Sequence, residues 1–362
     1  MRLQPIVTAC LLAGMTLLFY GFHLGAAPRT ADEAAFAQQA RSVTLGSAPL
    51  FFHVKDEQWL QPLGVYAQRA VQAAGGGDLS GRIVSVIAGA IDVALIFLIA
   101  QLITMRSWIG VAAAVLLMLT PAHRVLATTG TDSILPAPLV LLWLWNVIGF
   151  LRGDTIRALA MAAVWLGLSV YSHPAAPLIA GLLWLLTLIV ARRRNPARLA
   201  FATVIFTAAW APAILWFARH FDTYADTYGR WVIFAAHLRN PADGARAFVN
   251  SNTLGTRASA YWGFWDPSWL FFSTREAAAP FLLITAPFVA LGIHRFLRPA
   301  GRQTAALIAG AAVLVALPGA TFPAPHYISY AAAVLPLVAL TAALGLDHLF
   351  NLIRPPAPIP EP

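Results

Sequence analysis

Apolar residues in this chain do not alternate with polar ones; they run together in blocks of roughly 18–20 residues separated by polar connections. The blocks fall at 6–24, 83–104, 109–127, 134–151, 158–172, 176–191, 199–218, 279–297, 303–320 and 327–346. A helix of about 20 apolar residues crosses about 30 Å of hydrocarbon, and within that layer only helices or closed barrels satisfy their own backbone. The pattern therefore predicts an all-α polytopic membrane protein with about ten transmembrane helices. The first block follows Arg2 and is long enough to read as an uncleaved anchor rather than a signal peptide. One transmembrane domain is expected over 1–354, and the proline-rich 355–362, which cannot continue a helix, reads as a disordered cytoplasmic tail.

Composition removes the soluble alternatives. Only 11% of residues are charged, against about 25% in soluble domains. The formal charge of +9 does not argue for nucleic acid, because the cations are distributed by topology rather than gathered on a face. Cys10, the only cysteine, lies inside the first block, so no intrachain disulfide can form.

The distribution of arginine gives an orientation. The connections "TMRSW", "RGDTIR", "ARRRNPAR" and "HRFLRPAGR" are basic; "YSHPAAP" and "TFPAPH" contain no Lys or Arg, and "TPAHRVLATTGTD" has only Arg124. The positive-inside rule then predicts cytoplasmic N- and C-termini in a bacterial inner membrane. Two long segments, 26–82 and 219–278, fall on the periplasmic face. Eleven of the fifteen acidic residues share that face, so chemistry that needs carboxylates is expected there.

The first outer segment carries "RTADEAAF". Thr30 and Glu33 have capping-box spacing, and Ala34, Phe36, Ala40 and Val43 form a weak apolar stripe for an interfacial helix. Asp32 either adds a favourable charge at this helix start or acts as a base toward a membrane-held substrate. Further on, Trp59, Leu60, Leu63 and Tyr66 have helix-compatible spacing with Pro62 near the start, and Gly75, Gly76 and Gly77 mark a turn. Arg82 opens the next span, either as an interfacial anchor or as a phosphate contact.

Other polar residues carry two readings each. Asp132 either caps the fourth span or belongs to the site, and Asp92, deep in the second span, is a hydrogen-bonded core carboxyl or a functional one. Tyr171 and His173 end the fifth span, as interfacial padding or as sugar or phosphate contacts. Tyr261, Trp262, Phe264, Trp265 and Trp269 suit sugar stacking and an interfacial belt equally, and 220–258 is long enough for a lid. No tight metal-ligand spacing and no phosphate-binding glycine loop occurs, so a protein-defined metal site is not indicated, although dependence on a divalent cation stays open.

Taken in order, the acidic "DE" helix start, "WLQPLGVY", "GRIVSVIAGAI", "TPAHRVLATTGTDSILPAPLVLLWLW", "LGLSVYSHPAAP", "YWGFWDPSWLFF" and "HYISYAAAVLPLVAL" resemble the GT-C glycosyltransferases. The branch concerned is the bacterial one similar to protein O-mannosyltransferases and the lipid A aminoarabinose transferase. The resemblance implies an inverting membrane enzyme that moves a sugar from a polyprenyl-phosphate carrier to an acceptor, whether protein, lipid or glycan, on the outer face. Asp32 becomes the catalytic carboxylate, and no cofactor beyond the lipid-linked donor is implied. Glu33, Lys55, Gln61, Arg82, Arg124, Asp132, Tyr171, His173, Trp269, His326 and Tyr327 become the substrate-binding set. The chain departs from the family pattern where Thr128 stands four residues before Asp132, where Leu60 and Gln61 precede Pro62, and where His326 precedes Tyr327. Two alternatives stand beside this reading. One is a transporter or flippase, suggested by prolines within spans and by Asp92; the other is an inactive GT-C-like assembly subunit.

Overall fold

A computed structural model describes residues 3–22, 24–25, 28–44, 49–54, 58–220, 251–272, 278–298, 301–321 and 328–353. Every one of the ten apolar blocks is helical at its core. The helices are α1 (Leu3–Gly21), α4 (Ser80–Thr104), α5 (Ser107–Leu119) with α6 (Pro121–Thr128), α7 (Pro136–Gly153), α8 (Ile156–Ser169), α9 (Ala176–Ala191), α10 (Pro196–Arg219), α13 (Ala286–Phe296), α14 (Arg302–Thr321) and α15 (Val334–Ile353). Outside the bundle lie α2 (Ala31–Ser42), α3 (Pro62–Val71), α11 (Ser251–Phe264), α12 (Pro267–Phe271) and a ribbon of β1 (Phe52–Val54) with β2 (Gln58–Leu60).

The count of full spans is lower than the apolar blocks predict. Six described helices are long and apolar enough to cross a membrane, or seven when the bent pair α5–α6 counts as one span. The apolar helices Ile156–Ser169, Ala176–Ala191 and Leu283–Phe296 fall short. At 1.5 Å per residue, helices of this size rise only about 20–25 Å, less than the hydrocarbon thickness.

The 65° bend between α5 and α6 falls at Thr120–Pro121, inside the block read as a single span. Proline has no N–H to donate, so carbonyls of the preceding turn lose their helical partners. Other groups take them up. Thr120 Oγ1 donates to Leu116 O at 2.7 Å, and the Tyr20 hydroxyl of α1 lies 2.8 Å from Met118 O. Beyond the break, the Ala122 N–H donates to Pro280 O at 3.2 Å.

Helices α13 and α15 cross at close range. A Cβ on Gly292 would lie 2.1 Å from Thr341 O, and one on Gly345 would lie 1.9 Å from Phe288 O. Small residues at such crossings let backbones approach within a bilayer, where packing rather than hydrophobic burial holds helices together.

Two ends of the bundle differ in character. At one end Arg106 and Arg295 share the Asp347 carboxylate at 2.6 and 2.5 Å, and Arg198 meets Asp154 at 2.5 Å. Arg152 and Arg194 donate there to helix-terminal carbonyls. At the other end α2, α3 and the ribbon cover the bundle, with Phe36, Ala40, Val43, Phe52, Leu60 and Val65 forming a small core of their own. Of the predicted α2 stripe, only Ala34 is exposed.

Trp59 and Leu60 belong to a strand rather than to the helix their spacing suggested, with Leu60 opposite Phe52. The reason is local. A residue before proline is pushed out of the helical region, and Gln61 is accordingly extended (φ −75°, ψ 141°), so the helix can begin only at Pro62. The glycine turn is as expected: Gly75 and Gly77 have φ of +93° and +49°.

Candidate active site

The Thr30–Glu33 capping box is present. Glu33 N–H donates to Thr30 Oγ1 at 3.2 Å, and Thr30 N–H donates to Glu33 Oε2 at 2.9 Å. The same carboxylate does more than cap. Arg82, at the start of α4, places Nε 2.8 Å from Oε1 and Nη2 2.9 Å from Oε2, and Gly130 N–H donates to Oε1 at 2.7 Å. Arg82 also donates to Leu24 O and Pro28 O at 2.6 and 3.0 Å. One buried ion pair thus ties together the end of α1, the start of α2, the start of α4 and the 129–135 loop.

Electrostatics follow from this geometry. Burial alone would raise the Glu33 carboxyl, but the Arg82 fork and the N–H groups of Thr30 and Gly130 prevail and hold it at about 2. Arg82, read from the sequence as a phosphate contact, forms the clamp on Glu33. Asp32, the neighbour of Glu33 in the first turn of α2, is exposed.

Asp132 is buried at the same rim. A Cβ on Gly64 of α3 would sit 3.3 Å from Asp132 Cβ, and Leu63 N–H donates to Tyr171 O at 3.0 Å, so the first turn of α3 binds both loops. Asp132 does not cap α7, whose cap position is Leu135, without a side-chain hydrogen bond. Burial, together with the charge of Asp32, pushes its carboxyl up to about 8. His173 Nε2 lies 3.9 Å from Asp132 Oδ1, and its Nδ1 accepts from Ala175 N–H at 3.1 Å. That acceptor role fixes the proton of the neutral ring on Nε2, facing Asp132. Burial lowers His173 to about 3, and Tyr330 packs edge-on at 4.7 Å between ring centres. Near neutral pH the rim thus combines an ionised Glu33 with an Asp132 carboxyl held toward its protonated form.

The remaining expected residues are more dispersed. Arg124 is exposed on α6, its guanidinium 5.3 Å from the Phe19 ring centre, and no described acid pairs with it. Gln61 is fully buried at the cap of α3, and neither amide atom has a partner. The Tyr171 hydroxyl donates to Ala209 O at 2.7 Å, which ties it to α10. Trp269 packs on Phe264 at 5.2 Å in an aromatic knot that covers the bundle. Lys55, His326 and Tyr327, the tail, and residues 221–250 of the expected lid lie outside the described residues. Among the described residues no three His, Cys, Asp or Glu side chains converge as metal ligands.

Sequence reasoning weighed Asp92 alone and missed its partners. Asp92 Oδ2 lies 3.3 Å from His123 Nε2, and His123 Nδ1 lies 2.8 Å from the Tyr20 hydroxyl, all three inside the bundle. With Tyr20 donating to Met118 O, the His123 Nδ1–H donates to Tyr20, and one proton remains between Nε2 and Oδ2. The pair has no net charge wherever that proton sits, which suits its depth. The signal available in the sequence was the histidine of "TPAHR", two residues past the span-breaking proline.

Comparison with known proteins agrees with this architecture. The family model described as dolichyl-phosphate-mannose-protein mannosyltransferase matches residues 61–216. ArnT from Cupriavidus metallidurans bound to undecaprenyl phosphate superposes with a TM-score of 0.59 at 16% identity, over 93% of this chain and 60% of that one. Its apo state gives 0.58 at 15%, over 93% and 59%. No curated protein matches the sequence. The chain thus spans about three fifths of the length of these solved proteins. By fold over 93% of its length, and by sequence over 61–216, the chain resembles the GT-C membrane glycosyltransferases of the mannosyltransferase and ArnT type.

Proposed function

We propose that this protein is an inverting glycosyltransferase that moves a sugar from a polyprenyl-phosphate carrier to an acceptor at the periplasmic face of the inner membrane. The carrying observation is the clamp: Glu33 and Arg82 fix the first turn of α2, on which Asp32 stands exposed and near enough for its charge to act on Asp132. A carboxylate so placed can take the proton of an acceptor hydroxyl or amine as it attacks the anomeric carbon, a contribution of about 10² to 10⁴ in rate. The rim lies opposite the arginine-rich end, and the positive-inside rule assigns that end to the cytoplasm.

The leaving phosphate needs fixed cations. Arg82 is committed to Glu33, so this role falls to Arg124, exposed near the same rim, and to Lys55. ArnT in complex with undecaprenyl phosphate supports the carrier class for this fold. The test is transfer of labelled sugar from a panel of polyprenyl phosphates by purified protein in nanodiscs. Asp32→Asn is expected to lower turnover by at least about 10²; unchanged turnover would remove Asp32 from the mechanism. Substrate flux in sealed proteoliposomes without covalent transfer would replace the enzyme by a transporter.

A further inference from the structure

A cleft of about 980 Å³ opens at the arginine-rich end, on the opposite side of the bundle from Asp32. Its walls are the first turns of α1, the last turns of α4, the start of α5 and one face of α7. Deeper in the cleft Val7, Leu98 and Trp145 line it with Thr8, so the lining there is mainly apolar. Nearer the helix ends polar groups join the lining, Gln4 and Gln101, whose amide donates to Ser107 at 2.9 Å, among Leu102 and Met105. Outside the lining, exposed Arg152 donates to the carbonyls of Leu102, a lining residue, and of Ile103, which brings a guanidinium next to this end of the cleft.

The opening faces sideways. Val7 is 54% exposed, and Leu11, Met15 and Leu18 of the same helix are exposed with it, the surface of a helix against lipid tails. An aqueous solute would find few polar partners at depth, whereas a bilayer lipid matches the gradient: acyl chain inward, headgroup at the level of Gln4 and Gln101, phosphate toward Arg152. Arg106 and Arg198 at this end are paired with Asp347 and Asp154, whereas Arg152 and Arg194 donate to backbone carbonyls, and their positive charge favours an anionic head. The volume lies within the about 300–1,000 Å³ typical of ligand sites.

We propose that this cleft binds an anionic glycerophospholipid of the cytoplasmic leaflet, such as phosphatidylglycerol, with one acyl chain between α1, α4 and α7 and its phosphate on Arg152. The site is separate from the sugar-transfer rim and does not depend on the proposed activity.

The test uses the full-length chain carrying Cys10→Ser and Thr8→Cys, labelled with bimane and reconstituted in phosphatidylcholine vesicles with increasing dibrominated phosphatidylglycerol. Val204→Cys, on a 64% exposed position of α10, reports ordinary lipid contact. Half-quenching at position 8 is expected at about fivefold lower mole fraction than at 204, and Arg152→Gln should remove most of that difference, the effect of one arginine near an anionic surface. Val7→Trp, which fills the cleft, should make the two positions equal. Native mass spectrometry of the unmodified protein in mild detergent provides a reading that no substitution can disturb, with one retained phosphatidylglycerol expected. Equal quenching at 8 and 204, an advantage untouched by Arg152→Gln, or no retained phospholipid would overturn the proposal. So would quenching by a brominated polyprenyl phosphate in place of phosphatidylglycerol, which would assign the cleft to an isoprenoid.

Discussion

The Arg82 guanidinium grips both oxygens of Glu33, at 2.8 and 2.9 Å, across 49 residues of sequence and with both side chains buried. A bidentate fork of this kind holds position as well as charge. Removing one partner leaves the other charge buried and uncompensated, a loss of about 3–5 kcal/mol. Arg82→Ala is therefore expected to lower the melting temperature in detergent steeply. Arg82→Lys should recover little, because a point-like ammonium cannot reproduce the planar fork. Thermal unfolding of the three proteins side by side checks both statements.

Protonation gives the same pair a second test. Glu33 sits at about 2 in the fold against 4.5 as the ordinary value, so its stabilisation is complete above about pH 4.5 and is lost as pH falls toward 2. Wild type and Glu33→Gln should differ in melting temperature at pH 6 and converge in strong acid.

Asp132 has the opposite sign. Its carboxyl is raised from 3.8 to about 8, so between those values the folded state holds a proton that the unfolded chain releases. Its contribution is neutral in acid and increasingly unfavourable as pH rises toward 8. Asp132→Asn should flatten the decline of stability over that interval. A decline of equal slope in the variant would show that the carboxyl ionises normally in the fold.

Within the bundle, His123→Leu strands the Asp92 carboxyl beside an apolar neighbour, and a lost buried partner costs about 1–3 kcal/mol or more. The double variant Asp92→Leu/His123→Leu should be more stable than His123→Leu alone, since removing both partners deletes the desolvation penalty. A double-mutant cycle on melting temperatures reads this directly.

At the α13–α15 crossing, Gly345→Ala would press a methyl group into Phe288 O, and overpacking of this kind costs about 1–3 kcal/mol. Gly181→Ala, in α9 with no atom near its absent Cβ, is the matched control and should be close to neutral. Comparing the two melting temperatures separates local clash from helix propensity.

Local pattern carried much of the fold. The capping box at Thr30–Glu33 needs only residues three apart, and each apolar block announced its helix through composition. Pro62 likewise marked the start of α3. What stayed hidden depends on distance in sequence. Glu33 and Arg82 were each recognised as site candidates, but nothing in either neighbourhood says that they bond to each other. Asp92 was noticed for its depth, while His123 and Tyr20 arrive from two other helices. Trp59 and Leu60 misled because their spacing suits a helix, whereas their pairing with β1 is a matter of tertiary contact. The short α8, α9 and α13 were overcounted as full crossings because apolar composition extends beyond the residues that keep helical geometry.

The bend at Thr120–Pro121 lends the amino-terminal helix a meaning beyond tethering. Apart from Thr120 at the joint itself, the only described side chain from outside α5 and α6 that reaches the opened carbonyls belongs to Tyr20, and the same hydroxyl steadies His123 just past the joint. Tyr20→Phe would thus act like drawing a hinge pin: the chain stays in the bilayer, yet the arm leading to Gly130, and through it to Glu33, loses its fixed angle.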